Sequence, residues 1–308
     1  MKNLGYACIN MTLGKKNILT GRAMRASTLK EKGIEHASKL ALLNALDLEK
    51  ILQWNLENEI YVFRLGSDLF PWGNKVDVYK FPDFDEIASV LKRCGEFAKT
   101  NNMRISTHPG PFNLLASPKE DVVINTLKDL EMHGLVFDLM NLSRTPYNKI
   151  NIHVGATYGN KAAAAETWCK NFARLSESVR SRLTIENDDK ATMFSVVDLY
   201  EMIHKKVNIP IVFDFHHHTF NTGNQTAKEA LELACSTWNG IRPAVHYSES
   251  KSLHENNDSI NPRAHSDFIH NFIDTFGVEV DIMIEAKAKE LALLKYRQMY
   301  DNANKQVI

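Results

Sequence analysis

Short apolar runs alternate with longer amphipathic segments along the whole chain. Runs rich in β-branched and aromatic residues, typical of strands, occupy residues 4–9, 60–65, 103–107, 149–154, 182–187, 209–215, 242–247 and 278–285. Segments with apolar residues at helical spacing occupy residues 28–58, 84–100, 118–140, 161–177, 193–205, 226–237, 263–275 and 288–300. The pattern therefore predicts eight strands, each followed by a helix.

Strands that alternate with helices form parallel sheets, and eight such units favour a closed barrel over an open doubly wound sheet. A GxGxxG turn does not follow the first strand, which argues against a dinucleotide site. We therefore predict an α/β fold, a single (β/α)8 TIM barrel spanning residues 1–308 as one domain, with no nucleotide cofactor.

Composition narrows the class of protein. The chain has 308 residues, of which 44% are hydrophobic and 24% charged, as in ordinary globular proteins. Lys and Arg (37) balance Asp and Glu (37), which counts mildly against a nucleic-acid binder, although bound divalent ions would add positive charge. The four cysteines form no CxxC pair, and neither a signal peptide nor a run of about 20 apolar residues is present. We expect a cytoplasmic protein without a membrane segment.

Imidazole and carboxylate side chains end most of the predicted strands, from the third strand onward. They are His108, His153, Glu186, Asp214 with the following run His216–His218, His246 and Glu285, and His265 lies in the loop after strand seven. The C-terminal ends of barrel strands surround one mouth, so these residues converge there. A set of imidazoles and carboxylates without thiolate suits Zn²⁺, Mn²⁺, Fe²⁺ or Co²⁺. The sequence thus predicts a metal site at the C-terminal face of the strands.

The set is too large for one ion, which needs three or four protein ligands, and suits two or three ions with Glu186 as a bridge. A single histidine at a strand end is more often hydrogen-bonded or exposed, but the joint pattern favours metal. Such sites activate water and support displacement at phosphorus. Within the histidine run, side-chain alternation excludes three inward rings, so Asp214 and His217, at an i, i+3 step, are the predicted pair. The remaining histidines are interpreted as structural or solvent-exposed: His36, His133, His204, His254 and His270.

A series of motifs resembles a known family. LGYACIN, RLGSDLFP, STHPG, HVGATYG, TIEND, FDFHHH, HYSES, RAHSDFI and DIMIEAKAKE occur in this order over about residues 1–295. Together they resemble the UV damage endonucleases, the UvdE-like branch of the endonuclease IV and xylose-isomerase-like barrels. Each motif alone is weakly specific, whereas the ordered set is strongly specific.

The resemblance implies a DNA repair enzyme that cleaves damaged double-stranded DNA immediately 5′ to UV photoproducts, and other lesions such as abasic sites by extension. It implies two or three divalent ions, manganese first, with zinc or cobalt as alternatives. By resemblance, one ion is held by His108, His153 and Glu186, a second by Glu186, Asp214, His246 and Glu285, and a third by His217 and His265.

The resemblance also implies further roles. Glu186 and Lys287 would act in catalysis, and the predicted substrate-binding residues are Tyr6, Asn10, Arg64 and Phe112. The chain departs from the family pattern where some members carry Gln-Tyr after HPG, since Pro111 and Phe112 stand there. It also has Ser67-Asp68 where some members carry a histidine, and Ala244 where some carry a lysine. Phe112 keeps an aromatic ring that can stack on a base.

Two other classes of function fit a metal-binding barrel. A sugar isomerase or epimerase also uses Glu, Asp and His ligands at strand ends, and fold alone cannot separate it from a nuclease. It would need a closed pocket, whereas a nuclease would need an open groove with Arg and Lys along its rim. A metal-storage barrel is the non-enzymatic alternative.

Overall fold

Eight parallel strands form the centre of the molecule in this computed structural model, which describes residues 3–305. They are β1 Asn3–Ala7, β2 Val62–Leu65, β3 Arg104–Thr107, β4 Ile150–His153, β5 Leu183–Glu186, β6 Ile211–Val212, β7 Ala244–Tyr247 and β8 Asp281–Ile284. Their order in the sheet is β6-β5-β4-β3-β2-β1-β8-β7. Each strand thus pairs with its neighbours in sequence, and β1 pairs with β8 as a barrel requires.

The barrel closes between β6 and β7 through a single parallel bridge. Asp214, two residues beyond β6, is the bridge partner of His246 in β7. The His246 N–H donates to the Phe213 carbonyl at 2.9 Å. The predicted (β/α)8 TIM barrel is therefore confirmed, and its closing seam lies at the C-terminal ends of the strands.

Helices connect the strands and surround them. They are α1 Met11–Gly14, α2 Ala26–Glu57, α3 Phe84–Thr100, α4 Glu120–Leu139, α5 Lys161–Phe172, α6 Glu177–Arg180, α7 Val196–Leu199, α8 Lys205–Val207, α9 Phe215–Phe220, α10 Ala227–Ser236, α11 Lys251–Glu255 and α12 Glu290–Lys305. A π-helical turn, Tyr200–His204, joins α7 to α8, and 3-10 turns span Val78–Lys80 and Pro146–Asn148. Gly33, with φ of 68°, breaks α2 near its start. No helix among residues 3–305 has the length and apolarity needed to span a bilayer.

The helix predicted over residues 263–275 is wrong. Its apolar residues recur at helical spacing, and Ile269 and Ile273 are indeed buried in the core. Its backbone, however, hydrogen-bonds to side chains of other elements instead of to itself. The Glu249 carboxylate accepts the N–H groups of His270 and Asn271, and the Tyr296 hydroxyl accepts that of Ile273. Tertiary contacts thus replace the helical bonds in this segment.

Several short helices were not predicted. The strand expected over residues 209–215 ends at Val212, and the histidine run lies on α9. Asp214 caps this helix, since its carboxylate accepts the His217 N–H at 2.8 Å. The strand-like alternation of side chains predicted for His216–His218 therefore does not apply, because these residues are helical. The side chains of the predicted pair, Asp214 and His217, nevertheless lie close together, with His217 Nδ1 3.9 Å from Asp214 Oδ1.

An ion cluster fills the N-terminal end of the barrel. The Arg104 guanidinium, 2% exposed, pairs with Asp281 at 2.8 Å. It also donates to the backbone carbonyls of Pro146, Tyr147 and Arg242. The buried charge is therefore compensated inside the protein.

Candidate metal centre

The strand register brings the predicted ligands to one level of the barrel. His153 and Glu186 end β4 and β5 and are register partners, just as Asp214 and His246 are bridge partners. His108 and Glu285 directly follow β3 and β8. Parallel strands that end together therefore present these side chains to the same mouth.

Glu186, 1% exposed, lies at the centre of the cluster. Its carboxylate oxygens are 3.1 Å from His108 Nε2, 3.8 Å from His153 Nε2, 3.4 Å from His217 Nδ1 and 3.2 Å from His246 Nδ1. A second group joins Asp214, His246 and Glu285, with His246 Nδ1 3.2 Å from Glu285 Oε1. One carboxylate thus faces several imidazoles, as a bridging ligand would.

Several buried polar atoms in this cluster have no hydrogen-bond partner within the described part of the chain, His153 Nδ1 among them. Two others are Asp214 Oδ2 and His246 Nδ1, which belong to residues with an exposure of 0%. An unsatisfied buried acceptor costs about 1–3 kcal/mol, so such atoms call for a partner. A bound cation would satisfy both at once.

The ring orientations leave nitrogens available for ligation. Nδ1 of His108, His217 and His265 lies 3.1, 2.9 and 2.9 Å from the backbone carbonyls of Pro109, Asn187 and Glu285. A ring that donates its Nδ1–H to a carbonyl keeps Nε2 as a free acceptor. In His246 the roles of the two ring nitrogens are exchanged. Its Nε2 contacts the Lys149 amine at 2.9 Å, and its Nδ1 faces Glu186.

The ligand groups differ from the partition that the resemblance implies. Within 4.8 Å of one another, the structure groups His108 with Glu186 and His246, and His153 with Glu186 and His217. His217 therefore lies with His153 instead of with His265. The His265 ring packs edge-on against His216, with centroids 5.4 Å apart, and its Nδ1 is 3.9 Å from Glu285 Oε2.

Burial and charge shift the pKa values of these groups in opposite directions. Burial disfavours the charged form of Glu186, yet His246, His153 and His108 hold its pKa well below the ordinary value. Burial, reinforced by the charges of Glu186 and Glu285, raises the pKa of Asp214 to about 7. Burial lowers the pKa of His246 to about 4, so its ring is neutral at pH 7. Neutral imidazole is the form that binds metal.

Polar residues that sequence reasoning missed lie beneath and beside the cluster. The Asn151 amide, which the Thr184 hydroxyl contacts at 2.8 Å, donates to Glu186. Lys149, 1% exposed, contacts His246, and Asp188 Oδ1 lies 3.2 Å from His153 Nδ1. Polar and apolar residues alternate in KINIH, residues 149–153. This alternation could have revealed Lys149 and Asn151 as inward-facing, on the same side of the strand as His153.

Tyr6 and Asn10, the predicted DNA contacts near the first strand, are buried in the structure. Tyr6 is 0% and Asn10 1% exposed, and they hydrogen-bond to each other at 2.9 Å. The Tyr6 hydroxyl also donates to Asn55. The side-chain Oδ1 of Asn10 caps α1 by accepting the Leu13 N–H. Glu290 accepts the first N–H groups of α1, which folds the loop back over both residues. They hold this loop in place instead of lying on the surface.

The other predicted substrate contacts lie at the mouth or on the surface. Arg64, Glu285, His265 and residues 108–111 line a cleft of about 800 Å³ above the cluster. Arg64 is paired with Glu285 there. Phe112, in the loop after β3, is 85% exposed. Lys287 is exposed in the turn between β8 and α12, where its backbone N–H donates to the Ser266 carbonyl.

Comparison with solved structures supports the fold. The crystal structure titled SacUVDE has a TM-score of 0.86 and 32% identity, and the match covers 99% of this chain and 100% of that chain. A 3-keto-D-glucoside 4-epimerase from E. coli has a TM-score of 0.57 but only 9% identity, which shows a shared fold alone.

Comparison with known sequences identifies the family. The UV DNA damage endonuclease of Clostridium perfringens is 34% identical over 98% of this chain and 71% of its own length. The UV-damage endonuclease of Schizosaccharomyces pombe is 35% identical, and this chain spans about half of it, 51%. The model of the family described as UV-endonuclease UvdE matches residues 2–307. The chain therefore belongs to the UV-endonuclease UvdE family.

Proposed function

We propose that this protein is a metal-dependent endonuclease that nicks damaged double-stranded DNA immediately 5′ to UV photoproducts and so initiates excision repair. The observation that carries the proposal is the buried cluster around Glu186, in a chain that belongs to the UvdE family. Its buried, unsatisfied Asp214 Oδ2 and His246 Nδ1 fit a cation-binding centre. We also propose that residues 1–308 act as one endonuclease domain, and the cytoplasmic location stays a prediction.

The donor set fits two or three divalent ions, for which we propose manganese, with zinc or cobalt as alternatives. The proposed ligands are those around Glu186 together with the cleft residue His265: His108, His153, Glu186, Asp214, His217, His246, His265 and Glu285. When bound, such ions lower the pKa of a water and stabilise the charge that develops at a scissile phosphate.

The chain's own residues supply orientation around this centre. Glu186 is held by the Asn151 amide, and the His246 ring is held by Lys149. Arg64 lies at the floor of the cleft, paired with Glu285, where its guanidinium would also meet a phosphate oxygen. The exposed Lys287 is a second phosphate contact in this proposal, next to Glu285 in the chain.

The exposed Phe112 is the proposed contact to the lesion. Its side chain projects from the loop that His108 begins, and an aromatic ring that is 85% exposed is poised to stack on an unpaired base. Tyr6 and Asn10 have no direct contact in this proposal, because they are buried.

A nicking assay tests the function. We expect the protein with Mn²⁺ to relax UV-irradiated supercoiled plasmid and to leave unirradiated plasmid intact, whereas His108→Ala leaves both intact. Nicks with a 3′-hydroxyl would prime a polymerase. If irradiated plasmid stays supercoiled while a ketose is epimerised, the isomerase alternative is correct and the endonuclease proposal is wrong.

A salt titration tests the backbone contacts separately. Binding to an irradiated duplex should weaken steeply with salt, because each neutralised phosphate releases counterions. Lys287→Ala should reduce the slope of log K against log salt by about 1. An unchanged slope would remove Lys287 from the interface without affecting the nicking result.

A further inference from the structure

A second group of possible metal ligands lies outside the centre around Glu186. Glu249 follows β7, His254 lies on α11, and His270 lies in the irregular segment before β8. One ligand atom of each lies within 4.8 Å of the others. We infer that Glu249, His254 and His270 form a separate binding site for one transition-metal cation.

The Glu249 carboxylate, 7% exposed, is oriented as a ligand would be. Its Oε1 accepts the Asn271 N–H at 2.9 Å, the Asn271 amide at 3.2 Å and the Tyr247 hydroxyl at 3.3 Å. Its Oε2 accepts the His270 N–H at 3.0 Å and lies 2.5 Å from His254 Nε2. Outer hydrogen bonds thus fix both oxygens and leave Oε2 facing the His254 imidazole, which is how ligating carboxylates are held.

The two imidazoles are adjacent and reachable from solvent. The rings of His254 and His270 stack with centroids 4.0 Å apart and an interplanar angle of 26°. The His254 side chain is 24% exposed, and His270 is exposed. Burial and the neighbouring His254 lower the pKa of His270, which favours its neutral, ligating form. The open side leaves room for water as further ligands.

The donor set selects the class of cation. Two imidazoles and one carboxylate suit Zn²⁺, Ni²⁺, Co²⁺ or Cu²⁺ and are poor ligands for Ca²⁺ or Mg²⁺. Ligands of one tetrahedral Zn²⁺ lie roughly 3.3 Å apart, given bonds of about 2.0 Å. His254 Nε2 and Glu249 Oε2, now 2.5 Å apart, would therefore separate slightly on binding.

An ion at this site would join three segments of the chain: the residues after β7, α11 and the irregular segment before β8. The irregular segment also contains His265, a proposed ligand of the main centre. Ser250 pairs with His265 in an isolated bridge, and the Ser266 N–H donates to the Glu249 carbonyl at 2.8 Å. Cation binding at Glu249 would thus restrain the loop that carries His265.

Zinc stoichiometry tests the proposal. The protein is stripped with a chelator, dialysed against Zn²⁺ and analysed for bound zinc by mass spectrometry. We expect His270→Ala and His254→Ala each to hold one zinc equivalent fewer than the unsubstituted protein. His204→Ala is the matched control and should hold the full number, because His204 stacks on Tyr200 and bonds the Ile209 carbonyl elsewhere.

A second measurement separates metal binding from a purely hydrogen-bonded contact. Zn²⁺ should slow amide hydrogen exchange in residues 267–275 of the unsubstituted protein more than in His270→Ala, where only the main centre, through His265, can restrain the segment. If both histidine variants keep the full zinc content, or if zinc protects this segment equally without His270, the proposal is overturned. These variants keep every proposed ligand of the main centre, so the proposed function is tested separately, by the nicking activity of His108→Ala.

Discussion

The two ends of the barrel both bury charged side chains, but they satisfy them differently. At the N-terminal end, the Arg104–Asp281 pair is surrounded by partners, since Asp281 also accepts from Asn3 at 3.0 Å and Arg242 at 3.3 Å. At the C-terminal end, Asp214 and His246 keep buried atoms without a hydrogen bond in the described residues. Arg104, Asp281, Asp214 and His246 are all almost fully inaccessible to solvent.

The difference indicates which end carries chemistry. A buried charge without partners costs several kcal/mol, so a stable fold completes its ion clusters unless a ligand does so. The N-terminal cluster is complete and stabilises the fold. We propose that a bound ligand completes the C-terminal cluster, in agreement with the rule that barrel active sites lie at this end.

The largest effect is expected from Glu186→Gln, which breaks the incomplete cluster. The amide keeps the size of the carboxylate but loses the charge that faces the imidazoles. We expect nicking of irradiated plasmid to fall by on the order of a thousandfold, with an unchanged circular dichroism spectrum. Glu166→Gln, at an exposed surface pair, should retain full activity. Residual nicking above a tenth of the original rate would exclude Glu186 from the centre.

Asp281→Asn breaks the complete cluster and should act on stability instead. Removing one partner of a buried ion pair leaves Arg104 uncompensated and should lower the free energy of unfolding by about 3–5 kcal/mol. Urea denaturation measures this loss. The exposed pair Arg93–Glu49 is the control, and Glu49→Gln should cost less than about 1 kcal/mol. A change in bound metal in folded Asp281→Asn would contradict the separation of the two ends.

Lys149→Met tests the support beneath the centre. Burial lowers the pKa of Lys149 to about 7, although the charge of Glu186 opposes this, and its amine holds His246 Nε2. Loss of an outer partner of a ligating histidine should weaken Mn²⁺ binding by about 10–100-fold. Titration of activity against Mn²⁺ measures this, with the exposed Lys170→Met as the control. Equal Mn²⁺ dependence in Lys149→Met and Lys170→Met would mean that Lys149 contributes packing and does not orient His246.

A further prediction concerns the protons released on metal binding. Burial disfavours the His153 imidazolium, but Glu186 and Asp188 raise its pKa to about 10 in the metal-free protein. A ligating imidazole must be neutral, so metal uptake at pH 7 releases this proton. Apparent affinity should then rise about tenfold per pH unit for each proton released and level off above pH 10. Calorimetry in two buffers of different ionisation enthalpy measures the release; buffer-independent heats would contradict it.

The sequence was informative where one physical rule dominated. Strand period and barrel topology suffice to place His153, Glu186 and His246 together, and the predicted fold and family are confirmed. The sequence did not predict the burial of side chains that pack against distant segments of the chain. Tyr6 is buried because Asn55 and Asn10 lie against it, and neither contact follows from local pattern.

The wrong helix over residues 263–275 has the same cause. The segment has helical spacing, but Glu249 and Tyr296 accept its backbone N–H groups. Long-range partners override local helix propensity in this segment.

The closing seam of the barrel has a consequence for how the protein opens and refolds. β6 and β7 are joined by the Asp214–His246 bridge, whereas β7 and β8 share four register pairs. This seam is weakly paired, as is the β3–β4 junction with its single register pair, so local unfolding should begin at these junctions. The same two residues are proposed ligands, so a bound ion would act as a clamp across the seam. Ligand-free chains would then exchange the amides around residues 211–214 and 244–247 faster than ion-bound chains, and ion release would also be a step toward unfolding.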